Sequence, residues 1–309
     1  MTTTYHKEHL LDRAAMLAMR AILAVQPKLE FGPEARPGFD ELIAKTPAAA
    51  FVTYEAATMG GVAGWWCKPE QVIEGCAIVY LHGGAYILGS AAAYRNFVGQ
   101  IAARAKVAIF IVDYGTAPEQ TFPSAVKDAE AVYRNLSEAG FLRLAIAGDS
   151  AGGGLALVLL LLMVAASKSS SIIKPAAAAV MSPWTDLAAT GKSMEHRAKS
   201  DPLLTRDALQ KAAELYMGAH DRKDPQASPL YADFTAVPPI LFHVGEGEIL
   251  LDDSCRAAEK IEAAGGNAEI HIWEGMTHVF LSNLSLQAAQ EAVDGVGEFL
   301  RSHLKVDSH

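Results

Sequence analysis

Ser150 lies alone among small residues in the sequence GDSAG, residues 148–152. The run before it, LRLAIA, is typical of a buried strand, and the run after it, GGLALVLLLLMV, is typical of a buried helix. Small neighbours permit a sharp, strained turn that presents the serine, and the following helix directs amide donors towards the same point. The pattern therefore predicts a nucleophilic serine. The alternative is a glycine-rich anion site, but the stretch lacks both G-x-G-x-x-G and a Walker lysine.

A serine hydroxyl needs a base to become a nucleophile, and the base needs an acid to orient it. After a strand–turn–helix junction of this kind, the expected chain order is serine, then Asp or Glu, then histidine. His278 lies in the stretch EGMTHVFL, between the strand-like run AEIHIWE and a predicted helix. Loops at strand ends are where catalytic partners converge, so we predict His278 as the general base.

Four carboxylates follow one strand-like run, in the stretch ILFHVGEGEILLDDS. They are Glu246, Glu248, Asp252 and Asp253. Glu248 fits the acid best because it comes just past the strand end, whereas the two aspartates fit better as caps of the next helix or as supports of the loop. Asp201 also precedes His278, but no strand-like run leads to it. Glu248 is the predicted acid, and the other carboxylates stay open as alternatives.

A second glycine turn follows the neighbouring strand-like run, in the stretch YLHGGAYILGS. Gly83 and Gly84 have no Cβ atom, so backbone N–H groups there can approach a developing negative oxygen closely. The alternative is a purely structural turn. We predict this loop, with His82 before it and Ala85 after it, as the source of oxyanion donors.

Strand-like and helical runs alternate from Ala50 onwards, which predicts an α/β protein with a parallel sheet covered on both faces. The first 45 residues are predicted to be helical, with an amphipathic helix over 8–23. Residues 187–235 interrupt the alternation with helical stretches and no strand of their own. We predict one domain over 1–309, with a helical cap formed by 1–45 and 187–235.

Composition narrows the class of protein. The formal net charge is −9 without any basic run, which argues against nucleic acid or an anionic membrane as the main partner. Three cysteines without C-x-x-C spacing indicate thiols in a reducing compartment rather than disulfides or a zinc site. Charges interrupt the N-terminal apolar residues, and the longest apolar run, 155–166, is too short to span a bilayer. We expect a cytoplasmic protein without stable membrane insertion.

Six stretches, in this order, resemble the bacterial hormone-sensitive-lipase-like branch of the α/β-hydrolases. They are HGGA, DYGTAPEQTFPSAVKDA, AGDSAGG, SPWTDL, GEILLDDS and GMTHVF, within residues 50–305. The resemblance implies a mostly parallel eight-stranded sheet, a helical cap, and carboxylesterase activity without a cofactor or metal. It places the nucleophile on Ser150 and the base on His278. The oxyanion donors that it implies are Gly83, Gly84 and Ala151.

Three positions depart from the pattern of that family. Ala85 replaces a third glycine, which keeps a backbone donor but narrows the space for bulky tertiary-alcohol esters. Gly115 and Thr116 stand where the family often has arginine and leucine, so one loop contact is expected to be missing. Glu248 stands where an aspartate is usual, although a subset of the family uses glutamate.

The predicted reaction is hydrolysis of short- to medium-chain carboxylic esters through a Ser150–His278–Glu248 triad and an acyl-enzyme intermediate. Lactones, amides or carbamates are alternative substrates for the same triad. A non-catalytic small-molecule binding protein is the alternative from another class, but such relatives have lost the histidine that is present here. A homodimer through an edge strand is a further expectation from the family.

Overall fold

The computed structural model describes residues 1–25 and 31–305, and within them the chain forms nine strands and nine α-helices. The strands are β1 (Thr2–His6), β2 (Val52–Met59), β3 (Val62–Pro69), β4 (Cys76–Leu81), β5 (Ala108–Val112), β6 (Arg143–Asp149), β7 (Ala178–Met181), β8 (Ile240–Gly245) and β9 (Ala268–Trp273). The helices are α1 (Leu10–Ala24), α2 (Arg36–Ile43), α3 (Ala91–Ala105), α4 (Ser124–Glu138), α5 (Ser150–Ala166), α6 (Ser193–His196), α7 (Arg206–Met217), α8 (Leu251–Ala263) and α9 (Gln287–Leu304).

All the strands join one sheet in the order β1-β9-β8-β7-β6-β4-β5-β3-β2. Only the pairings of β2 with β3 and of β3 with β5 are antiparallel among the described strands. The central strands β4 and β8 are buried along their whole length, because helices cover both faces of the sheet. Helices α4, α5 and α8 pack on one face, and α3 and α9 pack on the other.

The sheet has one more strand than the eight that the sequence analysis expects. The eight strand-like runs after Ala50 all form strands, and β1 is the addition. We predicted residues 1–45 as helical, and this was wrong for Thr2–His6. Its threonines and tyrosine favour extended backbone, and β1 pairs in parallel with the exposed edge of β9, with Thr4 opposite His271. The edge strands are therefore β1 and β2, and a dimer through either of them stays a prediction.

The helical runs 94–105, 124–138, 254–264 and 287–304 of the sequence predict four helices, and α3, α4, α8 and α9 begin and end within three residues of those bounds. Helices α4 and α9 have the predicted bounds, and Thr205 caps α7 by accepting a hydrogen bond from the N–H of Ala208. Helix α8 begins at Leu251, so Asp252 and Asp253 lie in its first turn and do not cap it, contrary to one of the two roles we predicted for them. Within residues 1–25 and 31–305, no helix combines the length and the apolar character needed to cross a membrane.

Candidate active site

Ser150 lies at the junction of β6 and α5, on the sharp turn that the sequence predicts. Its φ angle is +53°, a left-handed conformation that costs energy in a residue other than glycine. Gly152 permits the turn, because a Cβ atom there would lie only 2.1 Å from the carbonyl oxygen of Leu81 on β4. The turn holds the Ser150 side chain away from the packed interior. This side chain is therefore partly exposed.

His278 and Glu248 meet Ser150 at the carboxyl ends of the strands. His278 Nε2 lies 2.8 Å from Ser150 Oγ, and His278 Nδ1 lies 2.7 Å from Glu248 Oε2. Ser150 directly follows β6, Glu248 follows β8 and His278 follows β9. The parallel topology therefore brings together residues that are up to 128 positions apart in the sequence. An ionised carboxylate only accepts hydrogen bonds, so Nδ1 carries the proton of a neutral imidazole and Nε2 is left to accept from the serine.

The surroundings of His278 shift the pKa of its imidazole. Burial lowers this pKa, but the charge and hydrogen bond of Glu248, with smaller contributions from Asp201 and Asp149, outweigh burial and raise the pKa above the usual histidine value. An imidazole with a raised pKa is a stronger base, which suits the removal of a proton from a serine hydroxyl.

The other carboxylates near Glu248 have different partners. Asp252 accepts from the N–H of Ser193, and Asp253 accepts from the N–H groups of Thr185 and Asp186. Both therefore support loops, which is the second of the two roles we predicted. Neither carboxylate contacts His278 in the described part of the chain.

Two further residues hold the Glu248 loop, and our sequence analysis gave neither of them a role. Asp201 Oδ2 accepts from the N–H of Ile249, although we set Asp201 aside because no strand precedes it. Ser182 donates from Oγ to Glu248 Oε1 at 2.8 Å, and the N–H of Gly245 donates to the same oxygen. Ser182 also accepts from the N–H of Val279, so one hydroxyl links the acid loop to the histidine loop.

The loop after β4 contains three backbone N–H groups close to Ser150. One of them already donates a hydrogen bond, and two can donate to a ligand. The N–H of Gly83 donates to Asp149 Oδ1 at 3.0 Å, so this donor is already engaged within the protein. Gly84 and Ala85 line the cavity beside Ser150, and across residues 1–25 and 31–305 their N–H groups form no hydrogen bond. This geometry argues against the predicted donor role of Gly83 and favours Ala85 in its place.

Asp149 links the glycine loop after β4 to the turn that carries Ser150. Its carboxylate is completely buried and accepts from the hydroxyls of Tyr80 and Tyr94 as well as from Gly83. Burial raises the pKa of Asp149 to about 6, although its hydroxyl partners favour the charged form. Asp149 directly precedes Ser150, so the carboxylate fixes the glycine loop relative to the nucleophile.

A cavity of about 510 Å³ opens onto Ser150 and His278. Such a volume is typical of small-molecule sites. Side chains from both predicted cap segments line it together with the sheet loops. Apolar examples are Leu23, Phe31, Phe39, Leu42, Ile43, Leu203, Leu204 and Leu209. In the described part of the chain, no group of three or more His, Cys, Asp or Glu side chains is arranged to hold a metal ion.

Known proteins resemble this chain in sequence and in fold. Residues 78–282 match a family model described as the alpha/beta hydrolase fold. An acetyl-hydrolase of Streptomyces hygroscopicus is 36% identical over 251 residues, which cover 80% of this chain and 82% of that protein. An esterase of Acinetobacter venetianus is 34% identical, over 92% of this chain and 94% of that protein.

The solved structures narrow the family. The crystal structure of an esterase from the bacterial hormone-sensitive lipase family is similar with a TM-score of 0.88 and 32% identity, and the match covers 96% of this chain and all of that one. The chain belongs to the bacterial hormone-sensitive lipase family. The resemblance that the six sequence stretches predict is thereby confirmed, as is the α/β-hydrolase fold.

Helix α2, which lies in the predicted cap segment 1–45, contacts the loop that contains Gly115 and Thr116. Arg36, the first residue of α2, donates to the carbonyl oxygens of Ile87 and Ala117, each at 2.8 Å, and to both carboxylate oxygens of Glu119. It also reaches Thr116 Oγ1 at 3.3 Å. The guanidinium of Arg36 therefore binds the loop that contains Thr116 and Glu119.

We expect Arg36→Met to lower kcat about tenfold while changing KM much less. Ile87 donates its N–H to the carbonyl of Gly84, so loss of the Arg36 contact loosens the turn that carries Gly84 and Ala85. Steady-state kinetics on a p-nitrophenyl ester measure both constants. The matched control is Arg134→Met, which removes a similar ion pair, with Glu130 at 2.8 Å, on the remote helix α4. Equal effects of the two substitutions would contradict the prediction.

Proposed function

We propose that this esterase hydrolyses short- to medium-chain carboxylic esters through a triad of Ser150, His278 and Glu248. One observation carries the proposal: an unbroken chain of contacts from Ser150 Oγ through His278 to Glu248, at the base of an apolar cavity. The names of the relatives, an acetyl-hydrolase and an esterase, support the reaction class.

In the first half of the reaction, Ser150 Oγ attacks the ester carbonyl while His278 Nε2 takes the hydroxyl proton. The new C–O bond forms a tetrahedral intermediate, whose negative oxygen accepts from backbone N–H groups. His278 then returns the proton to the departing alkoxide, which leaves as the alcohol. The acyl group stays on Ser150 as an ester.

In the second half, His278 takes a proton from water, and the resulting hydroxide attacks the acyl carbonyl. Collapse of this intermediate breaks the bond to Ser150, which recovers its proton from His278 as the carboxylic acid leaves. Glu248 stabilises the imidazolium that forms in both halves. Proton transfers therefore balance within each half, and no cofactor takes part in the proposed cycle.

The proposed oxyanion donors are the N–H groups of Gly84, Ala85 and Ala151. Gly84 has a φ of +117°, and an added Cβ would lie 2.1 Å from the carbonyl oxygen of Leu88, so the loop conformation requires glycine there. Ala151 is the second residue of α5, where the N–H groups of a helix lack internal partners. Losing one such donor typically costs about 3 kcal/mol of transition-state stabilisation.

We expect turnover to fall with acyl chain length, because the cavity is apolar but limited in volume. In a series of p-nitrophenyl esters from acetate to palmitate, kcat/KM should be highest between acetate and octanoate. It should then drop at least about tenfold for palmitate, whose chain exceeds the space beside Ser150. The measurement is initial-rate kinetics at matched detergent concentration.

The same series tests the choice of substrate class. A lactone and a p-nitroanilide amide of equal acyl length serve as controls for the alternative reactions. A higher kcat/KM for either one than for the matching ester would contradict the proposal, as would a maximum at palmitate.

A further inference from the structure

Helix α1 points two of its charged side chains, Asp12 and Arg20, towards the rest of the protein. Asp12 is only 3% exposed, and its carboxylate accepts from the N–H groups of Gln287 and Ala288 at the start of α9. Arg20 donates to the carbonyl oxygens of Ser200 and Gly275. In the sequence these charges interrupt the apolar residues of the helix, and in the structure they anchor its inner side.

The outer side of α1 is apolar and exposed. Its four large side chains, Leu10, Leu11, Leu17 and Ile22, are 83%, 83%, 60% and 57% exposed. With four alanines, they occupy an arc of about 160° at 100° per residue. The members of this arc are Leu10, Leu11, Ala14, Ala15, Leu17, Ala18, Ala21 and Ile22. We call this arc the outer face of α1.

An ordinary surface helix exposes its charges and buries its apolar residues, whereas α1 buries Asp12 beside Met16 and leaves four large apolar side chains exposed. Arg13 lies at the border of the outer face and is paired with Glu8. An exposed apolar surface without a charge in it is typical of an interaction site. The outer face is therefore suited to a partner with an apolar, uncharged surface.

The size of the outer face argues against a second copy of the chain as that partner. A 15-residue helix is about 22 Å long and about 10 Å wide, so one side presents on the order of 220 Å² in projection. A stable protein interface buries about 800 Å² on each partner. A helix that lies in a lipid–water interface needs no complementary protein area.

Charge and position select the kind of lipid surface. The net charge of −9 and the nearby carboxylates Glu274 and Glu291 oppose an anionic surface. The inner side of the same helix reaches the cavity, because Leu23 lines it. Leu42, another lining residue, is 59% exposed at the rim. Apolar material bound to α1 would thus lie next to the cavity that contains Ser150.

We propose that the outer face of α1 binds the surface of uncharged lipid or ester aggregates, with the helix axis in the plane of that surface. The ester part of this inference rests on the proposed function, whereas the binding itself does not. The helix lies on the surface and does not cross it.

The test is flotation of the full chain with phosphatidylcholine vesicles, comparing the wild type with Leu17→Glu and Ile22→Glu. We expect wild-type protein to float with the vesicles and each variant to lose roughly tenfold or more of its partitioning. Turnover of dissolved p-nitrophenyl acetate should not change, because neither residue lines the cavity. The matched control is Leu142→Glu, a substitution of another leucine that is 67% exposed, which should float as the wild type does.

Several outcomes would overturn the inference. These are wild-type protein that does not float, equal flotation of wild type and variants, and a wild-type dimer that Leu17→Glu dissociates in sedimentation velocity. Preference for phosphatidylglycerol over phosphatidylcholine vesicles would also overturn it. Flotation that depends on Leu17, in a protein without activity on any ester, would support the surface and contradict the proposed function.

Discussion

Replacing Ser150 with alanine should lower kcat for short-chain p-nitrophenyl esters by a factor of about 10⁴ or more. Alanine removes the oxygen that lies 2.8 Å from His278 Nε2, so the covalent route is lost while the cavity and the backbone donors stay in place. What activity remains should come from water activated by His278 and from oxyanion stabilisation. Because the side chain is small and partly exposed, the variant should fold as the wild type does.

The matched control for this substitution is Ser282→Ala. Ser282 also lines the cavity, but its hydroxyl donates to the carbonyl oxygen of Val279 and does not contact His278. Its turnover should stay within about threefold of the wild type. A sulfonyl fluoride should label the peptide that contains Ser150 in both the wild type and Ser282→Ala. Wild-type turnover in Ser150→Ala, or a label on another serine, would remove the basis of the mechanism.

Local patterns in the sequence predict much of this site. The turn around Ser150 depends on neighbours within a few residues, and the runs before and after it suffice to predict a strand and a helix. His278 and Glu248 follow from chain order and from their position after strand-like runs, because a parallel sheet brings such loops to one edge. Strands β4 to β8 follow from their own local pattern, since buried parallel strands are short continuous apolar runs.

Features that depend on contacts between residues far apart in the sequence cannot be predicted from such local patterns. Gly83 and Ala85 look equally able to donate until the Asp149 carboxylate is seen to engage one of them. Arg36 is an ordinary cap residue in the sequence, and only the fold places it against Ile87. Strand β1 exists because β9 offers it an edge, and Asp12 of helix α1 can be buried because N–H groups at the start of α9 donate to its carboxylate. Each of these outcomes was decided by a partner far along the chain.

Replacing Glu248 with glutamine should lower kcat by about 10³-fold to 10⁴-fold with little change in side-chain volume. The amide cannot stabilise the imidazolium by charge, and it can donate to Nδ1, which favours the wrong tautomer of His278. The control is Asp252→Asn, since Asp252 binds the N–H of Ser193 and not the histidine. Its kcat should stay within about fivefold of the wild type. A larger loss in Asp252→Asn than in Glu248→Gln would show that the acid is misassigned.

The pH profile separates this charge effect from a general loss of structure. Only the neutral imidazole accepts the serine proton, so wild-type kcat/KM should fall as the pH decreases through a midpoint above the usual histidine value of about 6.5. The midpoint is high because Glu248 raises the pKa of His278 against the opposing effect of burial. In Glu248→Gln, the charge that counters the effect of burial on the pKa of His278 is removed. The midpoint of the kcat/KM profile should therefore move to lower pH, and the plateau value of kcat/KM should drop. A midpoint that stays at the wild-type value would mean that Glu248 does not act on His278 through its charge.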